Sequence, residues 1–180
     1  MLAHLVQTGF GDFYDGLAHW ALTPNDLMVV LAFVLLAGSG GQAAAKGTLL
    51  ALPSAWLLGG LIGFQLPALG ALPVATALTV GLAGLLVALN RRLPTTALTI
   101  GALVAGALHG LANGSVMLVE GRDRLALLGV VTAVAVVTLV GSALVVPIEK
   151  PAARVVIRVA GSWLTAIALL LLGWQFRAQS

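Results

Sequence analysis

The chain has 180 residues, 60% of them hydrophobic and only 8% charged, with a formal net charge of +3. Soluble domains carry roughly 25% charged residues, so this chain cannot clothe a water-facing surface, and lipid is the solvent that tolerates it. Cysteine is absent, which excludes disulfides, thiolate metal sites and cysteine nucleophiles.

Composition and a mean hydropathy of +1.08 predict an all-α, polytopic transmembrane helix bundle of six to seven spans. It would form a single integral membrane domain over residues 1–180, with no soluble domain. The opening stretch, MLAHLVQTGFGDFYDG, has no basic leader and only a short apolar run, so no cleavable signal peptide is expected. A first span is predicted over about residues 2–22, the least apolar of the set, carrying Asp12, Asp15 and His19. Thr23-Pro24-Asn25 breaks it, because proline cannot continue the backbone ladder, and Asn25 or Asp26 is placed to cap the next helix. The second span, about residues 26–37, is short and ends at Gly38-Ser39-Gly40-Gly41. The remaining five fall at about residues 43–64, 72–89, 95–119, 125–146 and 152–174. Pro67, Pro73, Pro94, Pro147 and Pro151 stand at the boundaries, where proline costs least.

The basic residues sit singly or in pairs between apolar runs, as loop anchors do, which argues against a nucleic-acid partner despite an isoelectric point near 10.2. Lys46, Arg91, Arg92, Lys150, Arg154 and Arg158 share one side of the membrane and Arg122, Arg124 and Arg177 the other. The first group is therefore expected to be cytoplasmic.

Ionised groups are costly inside a membrane and usually serve a function there. Glu120, Asp123 and Glu149 lie in basic loops and read as solvated neighbours of those cations. Asp12, Asp15 and His19 are spaced i, i+3, i+7 and project from one helix face, and Asp26 follows just beyond the turn. Such oxygen and nitrogen donors suit a divalent ion such as nickel, cobalt or zinc, and suit copper(I) poorly without thiolates. The plainer alternatives are a headgroup position for Asp12 and a capping role for Asp26. In the fifth span, His109 and Asn113 are i, i+4 neighbours beside a groove of Gly106, Gly110 and Gly114. By the rise per residue they fall in the same half of the membrane as the turn after the first span, so the two polar clusters can meet. The alternative is that His109 and Asn113 only glue helices together. A faint echo links the clusters: Gly16 and Gly106 each stand three residues before a histidine, as in transporters built from repeats.

The run FYDGLAHWALTPNDLMVVLAFVLLAG resembles the HupE/UreJ family of hydrogenase and urease accessory membrane proteins, whose first hallmark reads F-x-x-G-x-x-H-P-x-x-G-x-D-H. Phe13, Gly16 and His19 match it, whereas Trp20 replaces its proline, Thr23 its glycine and Asn25-Asp26 its Asp-His pair. GALHGLANGSV falls where the family has H-G-x-A-H-G-x-E: His109, Gly110, Ala112 and Gly114 match, Asn113 replaces the second histidine and Val116 the acid. The C-terminal RVAGSWLTAIALLLLGW is similar to the family's last helix, so the resemblance covers essentially the whole chain.

The resemblance implies a membrane permease for nickel, sometimes cobalt, in a bacterial inner membrane, feeding metallocentre assembly. The ion would bind transiently to His19, Asp15, Asp26, His109 and Asn113, with no tightly bound cofactor. With several of the family's ligands replaced, the alternative is a non-transporting transmembrane scaffold within a larger membrane complex. Expected partners are the lipid bilayer, a divalent metal ion, and other membrane subunits or further copies of the chain. No nucleophile–base–acid set is recognisable, so an enzyme is not expected.

Overall fold

The computed structural model of the chain describes residues 7–66 and 72–177. Among them are seven helices and no strand: α1 (Asp12–Leu22), α2 (Pro24–Gly40), α3 (Gln42–Gly63), α4 (Leu72–Ala88), α5 (Thr95–Val119), α6 (Arg124–Val145) and α7 (Pro151–Arg177). Helices α3, α5, α6 and α7 are each long and apolar enough to cross a bilayer, and α1 with α2 makes a fifth span bent by 74°. Helix α4, at 17 residues, is a shorter apolar helix. Counted with the others it brings the arrangement to six, in line with the expected bundle.

Boundaries from the third span onward lie close to their expected places, because proline and glycine mark them. Pro94 caps α5 and Pro151 opens α7, while the expected Pro67 boundary lies outside the described residues. The first span differs. Its helix starts at Asp12 rather than near residue 2, because Gly9 and Gly11 adopt positive φ (79° and 101°), which no right-handed helix accepts. The resulting α1 has 11 residues, about 17 Å, too short to cross by itself. Thr23 ends it in an extended conformation and returns its hydroxyl to the His19 carbonyl (2.7 Å), leaving Pro24 to begin α2.

Helix α2 is the central element and touches all six others. Its sequence is apolar around the whole circumference, and Val29, Val30, Ala32, Phe33, Val34 and Ala37 are all buried, as a helix with no polar face requires. Around it, α3 packs on α5, α4 on α7 and α1 on α6. The α3–α5 seam is built on backbone proximity: a Cβ on Gly110 would overlap the Trp56 carbonyl, and Gly106 and Gly114 repeat this contact one turn away on either side. Gly129 of α6 stands in the same relation to the Phe13 carbonyl of α1. The outer faces carry exposed Leu50, Ile100, Leu144, Trp163, Leu170 and Trp174, surface that only lipid or protein can cover. These features are those of a multi-pass membrane protein.

The ends of the bundle differ in charge. The end formed by the close of α2, α4 and α6 and the start of α3, α5 and α7 has six cations and one acid (Glu149). The opposite half has three cations and five acids.

Candidate functional site

The seam between α3 and α5 and the start of α2 enclose most of the buried polar side chains on which the sequence converges. Asp26, in the first turn of α2, makes no capping bond to its own helix. Its carboxylate points inward, where Oδ1 is 2.7 Å from His109 Nδ1 and Oδ2 accepts from Asn113 Nδ2 at 2.8 Å. Asp26 is 3% exposed, His109 0% and Asn113 4%. The i, i+4 spacing on α5 presents imidazole and amide side by side, and one carboxylate spans both. Both oxygens are thereby satisfied, as burial demands.

A second layer holds these three. Trp56 of α3 donates its indole N–H to Asn113 Oδ1 (3.3 Å), and its ring packs on that of His109 with centroids 5.2 Å apart. Thr79 of α4 lies 3.0 Å from His109 Nε2 and donates its own hydroxyl hydrogen to the Thr76 carbonyl (2.7 Å). With that hydrogen committed, Thr79 accepts from the ring nitrogen, so both nitrogens of His109 are engaged. Four helices, α2 to α5, therefore meet at one hydrogen-bonded group.

Of the side chains expected to form a site, Asp26, His109 and Asn113 are brought together. His19 is buried on α1 and lies within the field of the Asp26 and Glu120 carboxylates. Asp15 is placed elsewhere. Its carboxylate accepts from the Thr8 backbone N–H (2.7 Å), the Thr8 hydroxyl (2.6 Å) and Arg122 Nη1 (2.9 Å). Arg122 also reaches Asp12 at 3.3 Å, tying the start of α1 to the α5–α6 loop. Asp123 caps α6 by accepting from the Arg124 N–H.

Sequence reasoning did not single out Trp56 or Thr79, and it gave Asn25 only as a possible cap and as a replaced position of the family's first hallmark. An indole N–H or a hydroxyl in an otherwise apolar span requires a partner, and that was their signal. Asn25 donates to Thr76 Oγ1 at 3.5 Å, while its Oδ1 is buried without a partner, as is Trp20 Nε1. These unpartnered groups are the sequence neighbours of Asp26 and His19. Among the described residues no three His, Cys, Asp or Glu side chains group closely enough to hold a metal ion. The cluster is thus two strong donors, Asp26 and His109, with amide oxygens nearby.

No curated protein and no solved structure matches the chain. A family model described as HupE / UreJ protein matches residues 1–171, and the chain belongs to that family of membrane proteins, which is associated with accessory nickel and cobalt transport.

Proposed function

We propose that the chain is a permease for a divalent transition metal, nickel before cobalt, supplying hydrogenase- or urease-type metallocentre assembly. It would act as one membrane domain of the bacterial inner membrane, with its basic end facing the cytoplasm. The observation that carries this reading is the buried Asp26–His109 pair, 2.7 Å apart where α2 and α5 meet. A carboxylate and an imidazole are kept inside an apolar bundle at considerable cost, and they are the donor types a nickel-like ion accepts. Two ligands of one ion at about 2.1 Å each and at right angles stand about 3 Å apart, close to the separation already present. His19, within the field of Asp26, and the unpartnered Oδ1 of the adjacent Asn25 would serve as approach ligands. So few donors give a site that releases its ion readily, which a permease needs.

The absence of a three-ligand group among the described residues favours a second reading, a non-transporting membrane scaffold. Uptake of radioactive nickel separates the two. Cells expressing the wild type should accumulate nickel above an empty-vector control, Asp26→Ala and His109→Ala should fall to that control, and His19→Ala should lie between. Equal uptake in all strains, together with stable co-purification of other membrane subunits, would establish the scaffold.

A further inference from the structure

The basic end of the bundle holds a polar hollow of about 260 Å³, enclosed by the ends of α2, α4 and α6 and the start of α7. Asn90, Arg92, Glu149 and Arg154 line it. Neither arginine has an ion-pair partner among the described residues, although Glu149 shares the space. A small recess behind it adds Arg91, beside Leu36 and Leu86. Leu36 and Leu86, together with Leu93 of the hollow itself, also line a second space, a cleft of about 280 Å³ between α2, α4 and α5. The cleft is walled by aliphatic and aromatic side chains, with the Thr79 hydroxyl at its far end. Leu82 and Val104, 61% and 52% exposed, form a rim that opens toward the surrounding lipid.

A leucine-lined cleft offers a hydrated cation nothing in exchange for its water, so it is not an ion route. It does match a hydrocarbon chain, and the adjoining arginines match a phosphate, for which the guanidinium fork is well shaped. We propose that the two spaces together bind one anionic phospholipid, its phosphate held by Arg91, Arg92 and Arg154 and one acyl chain laid in the α2–α4–α5 cleft. From Leu86 to Thr79 is seven residues of α4, about 10 Å along the axis. An acyl chain of ordinary length therefore reaches the residue whose hydroxyl meets His109. Lipid occupancy would steady α4 against α5 behind the candidate site. The inference does not depend on the permease reading, since apart from Thr79 the residues it uses take no part in the candidate site.

The test uses the full chain purified in a neutral detergent. Native mass spectrometry and thermal unfolding are recorded with added phosphatidylglycerol, with phosphatidylcholine, and with inorganic phosphate. One phosphatidylglycerol should be retained per chain and should raise the unfolding midpoint, while the other two additions should do neither. Arg92→Gln and Arg154→Gln should each weaken phosphatidylglycerol binding about fivefold. Gly101→Leu, whose side chain would fill the cleft beside Phe33, should abolish lipid retention. The lipid-free unfolding midpoint of each variant shows that the fold is kept; should Gly101→Leu not fold, the two arginine variants decide. Equal binding of phosphatidylcholine, an equal effect of inorganic phosphate, or unchanged binding in the arginine variants would overturn the proposal. So would a dimer whose cross-links place a second copy in the cleft.

Discussion

Asp26 Oδ1 and His109 Nδ1 lie 2.7 Å apart although 83 residues separate them in the chain. Each is the other's partner and both are buried, so removing either one strands a buried polar group. Asp26→Ala and His109→Ala should therefore both be destabilising, and the double variant should cost well under the sum of the two. The coupling should be about 0.5–3 kcal/mol. Reversible unfolding of the four proteins in detergent measures it, and strict additivity would mean that the contact carries no energy.

Asn113 bridges two partners, accepting from Trp56 and donating to Asp26. Trp56→Phe removes the indole N–H and part of a fully buried ring, leaving Asn113 Oδ1 without that donor and a cavity beside His109, and should cost about 1–3 kcal/mol. Asn113→Ala leaves both an indole N–H and a carboxylate oxygen unpartnered, and should cost about 2–4 kcal/mol. The order of the two midpoints in a thermal melt is the decisive reading.

Arg122 holds Asp15 and, less closely, Asp12. Arg122→Ala should destabilise the protein, mainly because the Asp15 carboxylate loses the cation that contacts it. Adding Asp15→Asn should recover part of the loss, since Thr8 can still donate to the amide oxygen. Protease sensitivity of the α5–α6 loop, followed with the melting midpoint, tests both steps. No recovery in the double variant would show that Arg122 acts through other contacts.

Glycine positions give a contrast that needs no functional assay. Gly110→Ala places a methyl group into the Trp56 carbonyl and should prise α3 from α5, with about 3 kcal/mol or more lost and aggregation on size exclusion. Gly173→Ala meets nothing within 4 Å and lies inside α7, so it should be neutral or stabilising by up to about 1 kcal/mol. Comparable behaviour of the two would contradict the packing of the α3–α5 seam.

Much of this architecture was legible in the chain. Span positions follow from runs of apolar residues and from Pro94, Pro147 and Pro151, because both signals act locally. The misplaced start of the first helix has a local cause too, in the positive φ of Gly9 and Gly11. The candidate site was legible in part. Asp26, His109 and Asn113 stand out because charge and amide groups are rare in such a sequence, and the i, i+4 spacing assigns the last two to one face.

Asp15 shows where that reasoning stops. Its spacing with His19 marks a shared helix face, yet the cation that Asp15 meets, Arg122, is 107 residues away. Which of several buried carboxylates takes a cation and which takes an imidazole depends on the helices packed against it. Composition by itself determined that this protein lives in lipid, since 8% charged residues cannot hydrate a surface. Tertiary structure alone decided that Asp26 pairs with His109 while Asp15 pairs with Arg122. Hydrogen bonds form over about 3 Å, and only the close approach of α2 to α5, and of α1 to the loop before α6, brings those atoms within that range.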